Sequence, residues 1–138
     1  MKRHLKGFIS YAWKDREVAE RLGQELESQG FDLWSDTEIS AGAAWVDRIG
    51  DALRDAEVVL FLVSPAAVAS SAVMAEIGAA VFAGKPVIPI IPPNGRIPAD
   101  LPAPLRKWQF VRAGKRGMAE VAAEIRQRLE QLDQPAAA

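Results

Sequence analysis

The sequence predicts an α/β fold in which a doubly wound, five-stranded parallel sheet carries helices on both faces. Strand-like and helical patterns alternate along the chain with short connections, which is typical of consecutive βα units. Residues 58–63, VVLFLV, are apolar without alternation. A strand of this kind must be covered on both faces, as it is in the middle of a parallel sheet. The length of 138 residues suits one such domain.

The composition narrows the class of protein. Hydrophobic residues make up 49% of the chain and charged residues 25%, and the formal net charge is −1. This balance provides no overall attraction to nucleic acid or to a membrane surface. No apolar run approaches the roughly 18 residues that span a bilayer, and the basic start lacks the apolar region of a signal peptide. We therefore expect a cytoplasmic protein.

Cysteine is absent from the chain, and His4 is the single histidine. The lack of cysteine excludes disulfides, thiol nucleophiles and cysteine-ligated metals. A lone histidine near the terminus also argues against most metal sites and against Ser-His-Asp catalysis. We expect no metal site.

The first half of the chain predicts two strands and two helices. Residues 5–11 predict the first strand, and Asp15 is the expected N-cap of a helix that ends at Gly30. A second strand is predicted at residues 31–34, followed by a loop at residues 35–44 because that segment lacks periodicity. The next helix is predicted from its apolar stripe, Trp45, Ile49 and Leu53.

The second half begins with the central strand, after which Ser64 is an expected N-cap with Pro65 in the first helical position. Residues 70–84 predict a helix. Its inward face is predicted from a four-residue spacing, Val73, Ile77 and Val81.

The remaining segments complete the sheet. The prolines of residues 86–91 favour a strand nearer the edge, and residues 92–104 should be irregular. Residues 108–111 predict the last strand and residues 118–132 the last helix. Five strands in this arrangement form a flavodoxin-like sheet. We place the domain at residues 1–133 and a tail or linker at residues 134–138.

One carboxylate on the 70–84 helix draws attention because Glu76 is the only charge in that segment. It lies either at the solvent edge of the helix or at the mouth of a site. Ligands of doubly wound sheets bind beyond the carboxyl ends of the strands, where the strand order reverses. The segments expected on that rim are residues 11–14, the loop after Trp34 and the turn at residues 64–71.

Several functions that are common among doubly wound folds are disfavoured because the chain lacks their sequence motifs. The first strand is followed by no GxGxxG, and the chain contains no Walker phosphate loop. Ser64 stands where a response-regulator receiver needs an aspartate. Ser10 alone is too little for the hydroxyl-rich phosphate loop of a flavin site.

Three blocks of sequence resemble the TIR (Toll/interleukin-1 receptor) domain family. Residues 8–15, FISYAWKD, are similar to its opening box. Residues 31–53 are similar to its second strand, its connecting loop with a glycine at Gly42, and the following helix with Trp45. Residues 58–80 resemble the strand, Ser-Pro turn and helix that carry its catalytic glutamate. The blocks span nearly the whole chain, and their spacing resembles that of bacterial members.

Many bacterial and plant members cleave NAD+ between nicotinamide and ribose, and some cyclise the product. The resemblance therefore implies that Glu76 is the catalytic carboxylate and that NAD+ is a substrate, with no cofactor. Ordinary glycosidases need two carboxylates because one must protonate the leaving group. Nicotinamide leaves NAD+ as a neutral molecule, so one carboxylate that stabilises positive charge on the ribose is sufficient. The expected lining of the nucleotide site is Tyr11, Trp13, Asp36, Gly42, Trp45 and Ala72.

Each candidate also has a purely structural interpretation. Glutamate is a good helix former, which is enough to explain Glu76 without catalysis. Asp36 suits the cap of a turn, Trp45 suits a core anchor, and Tyr11 suits the core. Trp13 suits stacking on a base or on a neighbouring subunit. A solvated basic face is expected from Arg106, Lys107, Arg112, Lys115 and Arg116.

The chain departs from the family pattern at Ala72. Members that cleave NAD+ usually have a tryptophan at this position, four residues before the glutamate. An alanine widens the pocket and removes aromatic stacking worth on the order of 1 kcal/mol. Weak activity, a different nucleotide substrate and a domain kept only for assembly are the consequences left open.

The resemblance implies two alternative functions. The first is a bacterial NAD+ nucleosidase in immune or anti-phage signalling, activated by self-association into a homo-oligomer or filament. The second is a non-catalytic module that binds other TIR domains through the loop at residues 35–44. In either case a sensor domain or partner protein outside this chain would set the trigger.

Overall fold

The computed structural model describes residues 5–35 and 54–133. Their strands form one parallel sheet in the order β2-β1-β3-β4-β5, which confirms the predicted flavodoxin-like α/β class. The strands are β1 (Leu5–Ser10), β2 (Phe31–Ser35), β3 (Val58–Leu62), β4 (Val87–Ile91) and β5 (Val111–Arg112).

Helices cover both faces of this sheet. The α-helices wholly contained in the described residues are α1 (Arg16–Ser28), α2 (Pro65–Ala69), α3 (Ser71–Phe82) and α4 (Met118–Asp133). Short 3₁₀ helices add a turn at Trp13–Asp15 and at Ala103–Lys107. None of these helices has both the length and the apolar character to cross a membrane.

The central strand behaves as its unalternating sequence predicts, because all five residues of β3 are buried. The sheet has a hydrophobic cluster on each face. Ile9 of β1 packs with α1 and α4 on one side, whereas Phe8 packs with α2 and α3 on the other. Side chains of a strand alternate between the two faces, so Ser10 points to the α3 side together with Phe8.

The strand order places the expected ligand crevice between β1 and β3. From β1 the chain leads through α1 to β2 on one side, whereas β3 leads through α2 and α3 to β4 on the other. This is the point where the strand order reverses. Ser10 at the end of β1 pairs in register with Phe61 of β3, so the carboxyl ends of the two strands lie side by side.

The α3 helix lies within the predicted residues 70–84 and corrects one expectation about its buried face. Ser70 caps its N-terminus by accepting a hydrogen bond from the backbone N–H of Val73 at 3.2 Å. The predicted inward position of Val81 is wrong, since 49% of this residue is exposed. At about 100° per residue, the eight-residue step from Val73 rotates Val81 by about 80° off the buried face. Ala80, seven residues on, is buried instead.

The last strand is shorter and later than the predicted residues 108–111. The carbonyl groups of Gln109 and Phe110 accept hydrogen bonds from the Arg128 guanidinium of α4, at 2.6 and 3.1 Å. The N–H of Trp108 donates to Leu105 and closes a turn. These groups are thereby engaged outside the sheet, and pairing with β4 begins at Val111.

Candidate active site at the carboxyl ends of β1 and β3

Glu76 lies on the buried face of α3, with 3% of the residue exposed. It follows Val73 by three residues and precedes Ile77, and both of these neighbours belong to the core cluster on the α3 side of the sheet. Of the two positions that the sequence allowed, the solvent edge of the helix is therefore excluded. The carboxylate points toward the sheet at the level where β1 ends.

Ser10 holds this carboxylate through a hydrogen bond. The Ser10 hydroxyl donates to Oε1 of Glu76 at 2.8 Å, and Ser10 itself is 0% exposed. Burying a carboxylate is costly unless it accepts hydrogen bonds, so this contact contributes to keeping Glu76 in place. Ser10 is not among the site residues that the sequence predicted. The alternation of β1, in which Phe8, Ser10 and Ala12 share a face, is the signal that could have found it.

A second serine–carboxylate pair joins the segment after β1 to the turn after β3. The Ser64 hydroxyl donates to Oδ2 of Asp15 at 2.5 Å and accepts from the backbone N–H of Ala67 at 3.1 Å. Ser64 therefore caps α2 as predicted. Asp15 occupies the N-cap position of α1, but the prediction that its side chain caps that helix is wrong. Its carboxylate instead ties the segment after β1 to the turn after β3.

The two aromatic residues of the FISYAW segment have different environments. Tyr11 is buried in the cluster packed against α1 and α4, on the opposite side of the sheet from Glu76. Trp13 is 65% exposed on the 3₁₀ helix beyond β1. The guanidinium of Arg16 lies 4.8 Å from the centroid of its ring, which stacks a cation on one face of the indole.

The comparisons with known proteins decide the family. A family model described as "TIR domain" matches residues 8–129. The chain belongs to the TIR domain family. The crystal structure of the TIR domain of the Toll-related receptor TRR-2 from Hydra magnipapillata matches with a TM-score of 0.70 and 20% identity. That match covers 91% of this chain and 94% of the other.

A second solved structure, of a conserved protein from Enterococcus faecalis V583, matches this TIR domain with a TM-score of 0.53 and 15% identity. It covers 97% of this chain and 77% of the other. At these identities the two structures support the fold. A search of curated protein sequences finds no match.

Within the TIR domain, Ala72 lies in the first turn of α3, one turn before Glu76, and is exposed. The predicted lining residues Asp36, Gly42 and Trp45 lie outside the described residues, as does the predicted helix with Ile49 and Leu53.

The predicted basic face divides into side chains with different contacts. Arg106 donates to the carbonyl groups of Pro98 and Leu101, at 2.9 and 3.2 Å, and so holds the irregular proline-rich segment. Arg116 pairs with Glu124 of α4 at 2.7 Å. The remaining members of the predicted face are exposed, namely Lys107, Arg112 and Lys115.

The chemistry available near Glu76 is that of a carboxylate oriented by a hydroxyl group. Such a group can accept hydrogen bonds from sugar hydroxyls and can stabilise a cation that develops beside it. Across residues 5–35 and 54–133, no group of three or more His, Cys, Asp or Glu side chains is arranged to hold a metal ion. Asp15, another carboxylate of the expected rim, is engaged by Ser64.

Proposed function

We propose that this TIR domain is an NAD+ nucleosidase in which Glu76 is the catalytic carboxylate. The observation that carries the proposal is the buried Glu76 carboxylate, held by the Ser10 hydroxyl at 2.8 Å, at the carboxyl ends of β1 and β3. Crevices at this switch point are where doubly wound folds bind nucleotides. Glutamate is also the residue that the family resemblance assigns to catalysis at this position.

The proposed reaction needs little from the protein beyond this carboxylate. The bond between ribose C1′ and the nicotinamide nitrogen breaks, and its electron pair leaves with nicotinamide, which becomes neutral. The ribose then carries positive charge of oxocarbenium character, which the Glu76 carboxylate stabilises. Water adds to C1′ and releases a proton. In the cyclising variant, a nucleophilic atom of the same substrate takes the place of water.

The proposal includes activation by self-association. Only 3% of Glu76 is exposed, so a ribose can approach the carboxylate only if neighbouring groups move. Trp13, Val81 and Phe82 are large hydrophobic residues with exposures of 65%, 49% and 96%, and apolar surface of this kind favours contact with another protein surface. We propose that contact between domains provides the rearrangement.

The proposed cellular role is immune or anti-phage signalling in the cytoplasm, triggered by a sensor domain or a partner protein.

A non-catalytic interaction module is the alternative. Ala72 favours it, because the ring that NAD+-cleaving relatives usually carry at this position is absent. The exposed Phe82 favours it as well, since this residue suits docking onto another TIR domain. The two functions are compatible if assembly and catalysis use different surfaces.

The deciding experiment measures NAD+ consumption at high protein concentration for the wild type and for Glu76→Gln. Glutamine keeps an acceptor for Ser10 but removes the negative charge. We therefore expect the rate to fall roughly 10²–10³-fold while the free energy of unfolding is retained. Glu120→Gln, the same change at an exposed position of α4, is the matched control and should keep full activity.

Light scattering on the same samples separates the two functions. Loss of activity with unchanged assembly in Glu76→Gln supports catalysis alongside self-association. Equal NAD+ consumption in all three proteins, or none in any, would contradict the nucleosidase and leave the interaction module.

A further inference from the structure

A concave feature lies on the side of the sheet opposite α3. A cleft of about 370 Å³ opens between α1, the loop after β4 and the loop that joins β5 to α4. It is on the α1–α4 side, so the sheet separates it from Glu76, which lies on α3. Its volume falls within the range of small-molecule sites. Neither the family resemblance nor the proposed catalysis uses this cleft.

The charged side chains that line this cleft are all cations. Its lining includes the cations Arg21, Lys115 and Arg116, and no carboxylate of the described residues belongs to it. Within the described part of the chain, Arg21 and Lys115 make no ion pair, and both are exposed. Arg116 is oriented by Glu124 at 2.7 Å and by the carbonyl of Arg112 at 2.5 Å. Two cations therefore remain available to a ligand beside a third that is fixed in place.

The backbone brings these cations to one place. Gly114 adopts a left-handed conformation with φ of 57°, which a residue with a Cβ rarely adopts, and the N–H of Arg116 donates to Ala113 across this turn. The turn places Lys115 and Arg116 opposite Arg21 of α1. A substitution at Gly114 would therefore change the cation arrangement without touching the core.

The uncharged part of the lining adds a different chemistry. Val18 and Met118 provide an apolar wall, and Asn94 provides a side-chain amide. Small-molecule sites commonly combine apolar walls with a few polar groups that fix orientation. Guanidinium groups bind phosphate through paired hydrogen bonds, whereas lysine contributes a point charge. A nucleotide matches this lining, because its phosphate suits the cations, its polar atoms suit the amide and its base or sugar suits the apolar wall.

We propose that this basic cleft binds a phosphate-bearing small molecule of the nucleotide class, at a site separate from the Glu76 crevice. The phosphate contacts Arg21, Lys115 and Arg116, and the base or sugar packs on Val18 and Met118. This site depends on neither Glu76 nor the proposed nucleosidase activity.

Pyrophosphate and adenosine 5′-monophosphate are suitable probes, titrated calorimetrically into the full chain at low ionic strength. We expect both to bind and the affinity to fall with added salt. Arg21→Gln and Lys115→Gln should each weaken binding about tenfold, because a hydrogen bond to a charged group is lost. Lys107→Gln removes the same charge from an exposed position outside the lining and should have no effect.

Amide NMR shifts locate the bound probe. Shifts at Asn94, Gly114 and Gly117 support the proposal, as does unchanged binding in Glu76→Gln. Failure of both probes to bind would overturn it. So would shifts confined to residues around Ser10, or wild-type affinity in the doubly substituted Arg21→Gln, Lys115→Gln protein. None of these outcomes depends on whether NAD+ is consumed.

Discussion

Two serine–carboxylate pairs connect the ends of β1 and β3 to the segments that follow them, and they differ in burial and in what else each serine contacts. In the first, Ser10 donates to Glu76 at 2.8 Å, and both residues are buried. In the second, Ser64 donates to Asp15 at 2.5 Å in a partly buried setting. Each pair links the segment at the end of β1 to the segment that follows β3.

The difference lies in what else each serine does. Ser64 also accepts from the N–H of Ala67, so its pair starts a helix and fastens a turn, which is a structural role. Ser10 ends a strand, and its hydroxyl orients a carboxylate in the interior. An apolar side chain at Glu76 would cost less to bury, so folding alone does not account for a carboxylate there. The comparison teaches that two hydrogen bonds of the same kind can differ in what they do. One caps a helix and fastens a turn, and the other orients a buried carboxylate, for which we propose a catalytic role.

Of the substitutions that test the difference between the two pairs, Ser10→Ala is expected to have the largest effect on activity. Removing a hydrogen bond to a charged group corresponds to about 1.5–3 kcal/mol, so kcat/KM for NAD+ should fall roughly ten- to hundredfold. Steady-state NAD+ consumption measures the change. Ser28→Ala removes a hydroxyl that donates to the Glu25 carbonyl at an exposed helix end, and it serves as the control. Full activity in Ser10→Ala, or an equal loss in Ser28→Ala, would remove Ser10 from the site.

Substitution of Ser64 in the Ser64–Asp15 pair should lower the stability of the folded domain and leave its activity largely unchanged. Ser64→Ala loses the α2 cap and the contact with Asp15, so the free energy of unfolding should fall by about 1–3 kcal/mol. Urea denaturation measures it, and a double-mutant cycle with Asp15→Ala isolates the coupling between the two side chains. Activity per folded molecule should stay close to that of the wild type. An activity loss that matches Ser10→Ala would show that the pairs are not distinct in role.

The smallest expected effect is that of Ala72→Trp, which introduces the aromatic ring that NAD+-cleaving relatives usually carry one turn before the glutamate. It tests whether the surroundings of the Ser10–Glu76 pair border the nucleotide. Ala72→Trp should lower KM for NAD+ about fivefold, because an aromatic contact is worth about 1 kcal/mol. Ala79→Trp adds the same ring to another exposed position of α3, farther along the helix, and should leave KM unchanged. Equal effects of the two substitutions would mean that position 72 does not border the nucleotide.

The predictions that held depend on local sequence. The unalternating run of β3 indicated a strand covered on both sides, and Ser64 with Pro65 marked the start of α2. General rules for doubly wound sheets predicted that the turn leading to Glu76 lies at the edge where such folds bind ligands. Where local pattern was weak, as near Trp108, the boundary was missed because Arg128 of α4 engages the neighbouring carbonyl groups.

The sequence by itself therefore determined the α/β class, the family resemblance and the identity of the one charged residue in α3. Only the tertiary structure decided that Glu76 points inward, that Ser10 holds it across a separation of 66 residues, and that Asp15 contacts Ser64 across 49. It also brought Arg21 to the basic cleft beside Lys115. These contacts join segments far apart in the chain. Periodicity and capping act within a few turns, so no local pattern specifies such partners.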